Sequence, residues 1–408
     1  MQWSLSRGAE VKKVLLILNG GHSEIPLIRA GKKLGFHVVT TGNLPELIGH
    51  SYADQYCRAD FSDKEAILKL AKDLNIAAIC SCANDFGIIT AAYVAEKLNL
   101  PGHDSFETTC ALHHKDTFRQ ITAKFNIHAP LAKSFSSVDD ALNDADSFAY
   151  PVIVKPTDLT GGKGVSRADN SYEISTALKK AFNMSRCGVV VVEPFLSGTL
   201  HSFSTFLVNQ KIVAHFSDNE YTYKNPYLIS SSAGPAKDID KYAEILIADM
   251  EKLAHELKLV DGVFHAQYIL SGGMPYIIEI TRRCSGDFYS VPVEYARDIP
   301  WAEMIVRAEC SLPLEEDFFR MHEPQRFGGR HCIMGRRNGT VKDVVIADEL
   351  RENVYDAFTW WKPGHIISDF MKDKLGVLFL KFSDEREMLD KINRITDLVK
   401  VIYSDKEV

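Results

Sequence analysis

Residues Val263 to Arg283 read VFHAQYILSGGMPYIIEITRR, two aromatic and β-branched runs on either side of Ser271-Gly272-Gly273-Met274. Such runs flanking a glycine pair predict a β-hairpin. With the turn centred on Gly273, Gln267 lies opposite Glu279, and facing residues have Cβ atoms roughly 5 Å apart. Two side-chain oxygens at that separation suit a hard cation, which takes oxygen ligands. The alternation of a strand then puts Thr281 and Arg283 on the face of Glu279 and turns Arg282 away. The alternative is a solvated polar face carrying a Glu–Arg pair. Tyr276, Ile277, Ile278 and Ile280 argue that the strand is largely buried, and a buried carboxylate needs a partner or a metal.

Upstream lies a glycine run, Thr160-Gly161-Gly162-Lys163-Gly164. It reads either as a glycine-rich hairpin tip or as a nest whose backbone N–H groups converge on a phosphate. It is not a Walker A loop, because Gly164 rather than Ser or Thr follows Lys163, and a strand rather than a helix comes next. Lys155 ends the apolar run Pro151 to Lys155 just before the loop. A lysine there is either a snorkelling surface residue or a fixed charge for a polyphosphate. Lys115, in His113-His114-Lys115-Asp116, is a second candidate.

The first ~110 residues alternate strand and helix patterns: Val14–Leu18, Ser23–Leu34, a strand from Val38, Glu65–Leu74, Ile76–Cys82 and Phe86–Leu98. That alternation predicts a doubly wound parallel sheet. Gly20-Gly21 lacks the third glycine of a dinucleotide fingerprint and reads as a tight strand-to-helix turn. The middle of the chain predicts an α+β domain, with strands at Pro151–Lys155, Gly188–Glu193, His201–Val208 and Val263–Leu270 and helices at Asp169–Phe182 and Asp238–Leu257. After about Pro324 a β-rich segment follows, with stretches at His331–Met334, Gly339–Ile346 and Gly376–Phe382, a helix Asp384–Thr396 and an end strand Val399–Tyr403.

The chain has 408 residues, 46% of them hydrophobic and 25% charged, with a net charge of −7. These values exclude a disordered chain and argue against general nucleic-acid or membrane-surface binding. Its apolar runs are too short to span a bilayer, and residues 1–13 lack the apolar core of a signal peptide. The eight cysteines are dilute. Cys80 and Cys82 are expected on one face of a strand, with no partner pair at zinc spacing, so buried reduced thiols in a cytoplasmic setting are expected.

Taken in order, these motifs resemble the ATP-grasp superfamily, in the branch of biotin carboxylase, carbamoyl-phosphate synthetase and L-amino acid ligase. The resemblance implies an N-terminal α/β domain (1–112), an ATP-grasp domain (113–325) with a mobile lid at about 134–195, and a C-terminal cap (326–408). By resemblance Lys115 and Lys155 are the nucleotide lysines, and Gly161, Gly162, Lys163 and Gly164 close over the phosphates. Glu193, Pro194 and Leu196 would line the adenine, and His201 would contact the ribose. Gln267, Glu279 and Thr281 match the metal ligands, and Arg283 matches an arginine near the acyl phosphate. Two positions depart from the pattern: Gln267 replaces a commoner Glu and Thr281 a commoner Asn, which leaves a site of lower charge.

The implied cofactors are ATP and Mg2+ (or Mn2+). The implied activity is an ADP-forming ligation of a small-molecule carboxylate to an amine through an acyl phosphate, with no nucleic-acid or membrane partner and a homodimer left open. The alternatives are a biotin-independent carboxylase using bicarbonate through carboxyphosphate, and a nucleotide-binding protein without ligase activity. Lys115, Lys155 and Glu279 argue against the last. For the substrate, Asn84 and Asp85 are either ligand contacts or a helix cap. Tyr221 to Tyr227 is either an acceptor-site lining or a surface loop.

Overall fold

A computed structural model describes residues 12–321 and 323–404. Residues 1–11, most of the stretch read for a signal peptide, lie outside them. No helix among the described residues is long and apolar enough to cross a membrane.

The N-terminal unit is a four-stranded parallel sheet in the order Gln55–Arg58, His37–Gly42, Val14–Ile17, Ala78–Cys80. Alternate residues of the first strand feed two different cores: Leu15 and Ile17 pack to one side, Leu16 and Leu18 to the other. A strand covered on both faces reads as an unbroken apolar run, as this one does. Gly20 is forced by space, since a Cβ there would meet the His50 ring at 2.1 Å. Cys80 and Cys82 are both buried but belong to opposite cores. The regular strand ends at Cys80, so the alternation expected to align the two thiols stops before Cys82. The cysteines are free thiols.

The central sheet has eight antiparallel strands: Met274–Thr281, Gly262–Ser271, Thr199–Val208, Lys211–Thr222, Ile229–Gly234, Gly328–Met334, Lys374–Lys381 and Val354–Thr359. The C-terminal segment therefore extends this sheet, besides carrying a three-stranded sheet of its own. A separate four-stranded sheet, Lys133–Phe135, Val190–Pro194, Val152–Pro156 and Ser166–Ala168, carries the glycine run between its last two members.

The hairpin differs from its sequence reading in an instructive way. Ser271 faces Met274, so the turn is the two residues Gly272 and Gly273, both at positive φ (57° and 80°). That is the backbone a two-residue hairpin turn requires. Continued unbroken, this register would put Ile278 opposite Gln267. A bulge between Gln267 and Tyr268 shifts the pairing by one residue, so that Gln267 does face Glu279. The bulge is held from outside: the Ile277 N–H donates to the His128 carbonyl (2.7 Å), and Arg119 Nη2 donates to the Ile278 carbonyl (2.5 Å).

Candidate active site

Two contiguous cavities open between the glycine-run sheet and the central sheet. The first, about 260 Å3, is lined by Lys115, Lys155, Gly161, Gly162, Glu193, Pro194, Leu196, Gln267 and Glu279. The second, about 270 Å3, shares Gly161, Gly162, Gln267 and Glu279 and continues to Thr281, Arg283, Asp287 and Arg330.

Lys155 and Glu193 sit on adjacent strands, and Glu193 is 1% exposed. Its carboxylate receives Lys155 Nζ at 2.8 Å and Arg119 Nε at 2.9 Å. Burial alone would raise the Glu193 pKa, but Arg119 and Lys155 outweigh it and hold the group at about 2. Burial lowers Lys155, against the pull of Glu193. Glu193 thus acts through Lys155 here, fixing its half-buried ammonium at the cavity wall. Lys115 opens the helix Lys115–Lys124, and its Nζ lies 2.7 Å from the Leu159 carbonyl and 3.7 Å from Glu279 Oε1.

In the glycine run, Gly161, Gly162 and Gly164 all have positive φ. Gly162 packs so closely on Tyr227 that a Cβ would meet the Tyr227 carbonyl oxygen at 2.5 Å. Tyr227 thereby lies under the run and lines both cavities. Lys163 is exposed and lines neither. His201 also departs from its expected place. It pairs with Tyr268 and stacks on it at 5.0 Å, on the sheet face opposite Gln267, while Leu200 lines the first cavity. Strand alternation forces this result, because Ser202 is the residue facing Gln267.

On the hairpin, Arg282 turns away as expected and pairs with Asp104 at 2.7 Å. Arg283 faces the second cavity, with Nε 2.6 Å from Asp85 Oδ1. Burial opposes the charge on Asp85, but Arg283, first, and His113 keep it well below the usual carboxylate range. Asn84 is the helix cap, accepting from the Phe86 N–H at 3.0 Å. Thr281 is 6% exposed and its Oγ1 has no hydrogen-bond partner.

Four residues unmarked by the sequence patterns join the site. Arg119 is the link just described between Glu193 and the bulge. Arg330, from the C-terminal segment, lines the second cavity and lies 3.5 Å from Asp287. Asp287 also meets Lys374 (2.5 Å) and His22 (3.2 Å), and its N–H donates to Ser23 Oγ. Glu220 lies 2.5 Å from Gln267 Nε2. Burial, then Asp218 beside it, pushes Glu220 up to about 8; burial also raises Asp218 to about 6. The signal for Glu220 was the pair Asp218 and Glu220 at spacing two, which one strand face must carry together.

No set of three or more His, Cys, Asp and Glu side chains forms a ready metal cluster among the described residues. The available donors are oxygens: the Glu279 carboxylate, the Gln267 amide and the orphaned Thr281 hydroxyl, with the Glu220 carboxylate behind Gln267. That chemistry fits Mg2+ or Mn2+ rather than a soft metal. A divalent cation among these acids favours their charged forms.

Residues 114–288 match the family of the carbamoyl-phosphate synthase L chain ATP-binding domain. The match marks this segment as an ATP-grasp ATP-binding domain. Solved structures of this fold overlay almost its whole length. L-amino acid ligase from Bacillus licheniformis is 20% identical, with a TM-score of 0.80, covering 97% of this chain and 100% of that one. Phosphoribosylglycinamide synthetase from Anaerococcus prevotii is 22% identical, with a TM-score of 0.76, covering 96% and 100%. The biotin carboxylase domain of Hydrogenobacter thermophilus 2-oxoglutarate carboxylase, in complex with MgADP, ADP and bicarbonate, is 15% identical, with a TM-score of 0.74, covering 96% and 90%. In this ATP-grasp fold the glycine-run sheet and the central sheet form the two walls of the cleft.

Proposed function

We propose that this ATP-grasp protein is an ADP-forming ligase that phosphorylates a small organic carboxylate and passes the acyl group to an amine. The observation that carries the reading is the second cavity, which is lined by Arg283 and Arg330 together with Glu279, a residue it shares with the first cavity. Guanidinium groups hold planar carboxylates bidentately. At about 270 Å3 the cavity has room for a small organic acid.

In this reading the first cavity takes ATP, with its base between the Pro194–Leu196 segment and Ile269. Lys115 and Lys155 neutralise the phosphates, and backbone N–H groups of the Gly161–Gly164 run cover them. Glu279 and Gln267 would hold the divalent cation, which supplies charge neutralisation at the transferring phosphoryl group. Arg283 orients the attacking carboxylate and stabilises the acyl phosphate. Closure of the glycine run on Tyr227 excludes water until the amine arrives.

The test measures ADP release with bicarbonate alone and with panels of organic acids, with hydroxylamine added to trap an acyl phosphate as a hydroxamate. The expected result is ADP release and hydroxamate only with particular organic acids. Strong release with bicarbonate alone overturns the proposal in favour of a carboxylase.

A further inference from the structure

Gln267 presents a problem that a glutamate in its place would not. The two oxygens of a carboxylate are equivalent, whereas an amide has one end that ligates a cation and one that repels it. Nothing in the Gln267 side chain itself selects which end faces Glu279. Its surroundings do. Gln267 faces Ser202 on the neighbouring strand, and Ser202 faces Asp218 on the next. Two residues further along that second strand, on the same face as Asp218, the Glu220 carboxylate accepts a hydrogen bond from Gln267 Nε2. With its nitrogen drawn toward Glu220, the amide has its oxygen on the opposite side, toward the strand that carries Glu279.

We propose that Glu220 is a positioning residue that locks the Gln267 amide with its oxygen toward the cation shared with Glu279. The inference rests on the metal reading of the hairpin given above. A partner that orients a metal ligand typically changes affinity 10- to 100-fold when it is removed. Glu220 would then be required only because position 267 carries an amide.

The test is a double-mutant cycle read by Mn2+ electron paramagnetic resonance in the presence of the ATP analogue AMP-PNP. Wild type, Glu220→Leu, Gln267→Met and the double variant are compared, with analogue binding checking that each protein is folded. The expected result is a roughly tenfold or greater loss of Mn2+ affinity in Glu220→Leu, which has no acceptor for the amide nitrogen. That loss disappears in the Gln267→Met background, because no amide is left to orient. Unchanged affinity in Glu220→Leu overturns the proposal. So does a Glu220→Leu effect that persists in full beside Gln267→Met, which would mean that Glu220 acts by charge or as a direct ligand. A wild-type protein that binds AMP-PNP but takes up no Mn2+ beside it removes the metal reading itself, and this inference with it.

Discussion

Lys155 and Lys163 are both lysines close to the glycine run, yet the structure separates them sharply. Lys155 is half-buried and tied to Glu193, whereas Lys163 is exposed. Lys155→Ala is therefore expected to weaken AMP-PNP binding by roughly 2–4 kcal/mol, since it deletes a desolvated charge and strips Glu193 of one partner. Lys163→Ala should cost well under 1 kcal/mol, as exposed charges do. Calorimetric titration of both variants decides the matter, and equal effects would remove Lys155 from the nucleotide site. Glu279→Gln is expected to lower ADP formation far more than analogue affinity, because the lost charge matters most where phosphoryl charge develops. For single residues the sequence made placement legible where it follows from local spacing: Gln267 faces Glu279, and Lys155 and Arg283 line the cavities. It was illegible for Arg119 and Arg330, whose partners lie on distant strands or helices, and the spacing of Asp218 and Glu220 marked a shared face without naming Gln267 as the partner. His201, assigned to the ribose by resemblance alone, lies on the sheet face opposite Gln267, and the resemblance does not reveal which face of a strand a side chain takes.

Among the elements, the glycine run and the hairpin carry separable expectations. Gly161 and Gly162 share a left-handed backbone, at φ 64° and 71°. A Cβ on Gly161 meets nothing within 4 Å, while one on Gly162 collides with Tyr227. Gly161→Ala should cost only about 1–2 kcal/mol of local strain. Gly162→Ala should in addition keep the run from seating, so that AMP-PNP no longer protects residues 159–165 from limited proteolysis. Equal protection in the two variants would refute the closure on Tyr227. The hairpin shows how a correct facing pair arose from an incorrect turn. Glycine composition marks the turn but not its length, and the compensating bulge depends on carbonyl and guanidinium contacts from His128 and Arg119. No pattern within residues 263–283 encodes those contacts. Three strands of the N-terminal parallel sheet were legible because they carry apolar runs, whereas the edge strand Gln55–Arg58, polar and partly exposed, carries no such signal.

Across the whole molecule, buried charge and buried imidazole set the response to mutation and to acid. Arg282 is 6% exposed and joins Asp104 to the carbonyls of Val260 and Val263. Asp104→Asn leaves that guanidinium uncompensated and is expected to destabilise by about 3–5 kcal/mol, seen as a lower denaturant midpoint. His331 is buried against Ser231 (2.7 Å), and burial lowers its pKa to about 4. An unfolded histidine protonates near pH 6.5. The stability gained by keeping His331 neutral is thus complete above pH 6.5 and is lost as pH falls toward 4. The loss amounts to on the order of 3 kcal/mol. His331→Gln should flatten the fall in stability between pH 6.5 and 4.5 by close to one proton, and an unchanged slope would contradict the assignment. The eight-stranded sheet has one further consequence. Ile229–Gly234 takes its outer hydrogen bonds from Gly328–Met334, so a chain cut after residue 325 would present a bare row of amide donors and carbonyl acceptors. Exposed edges of that kind recruit other chains. Such a fragment, although it retains every residue of the first cavity, is expected to self-associate on purification instead of behaving as a free nucleotide-binding unit.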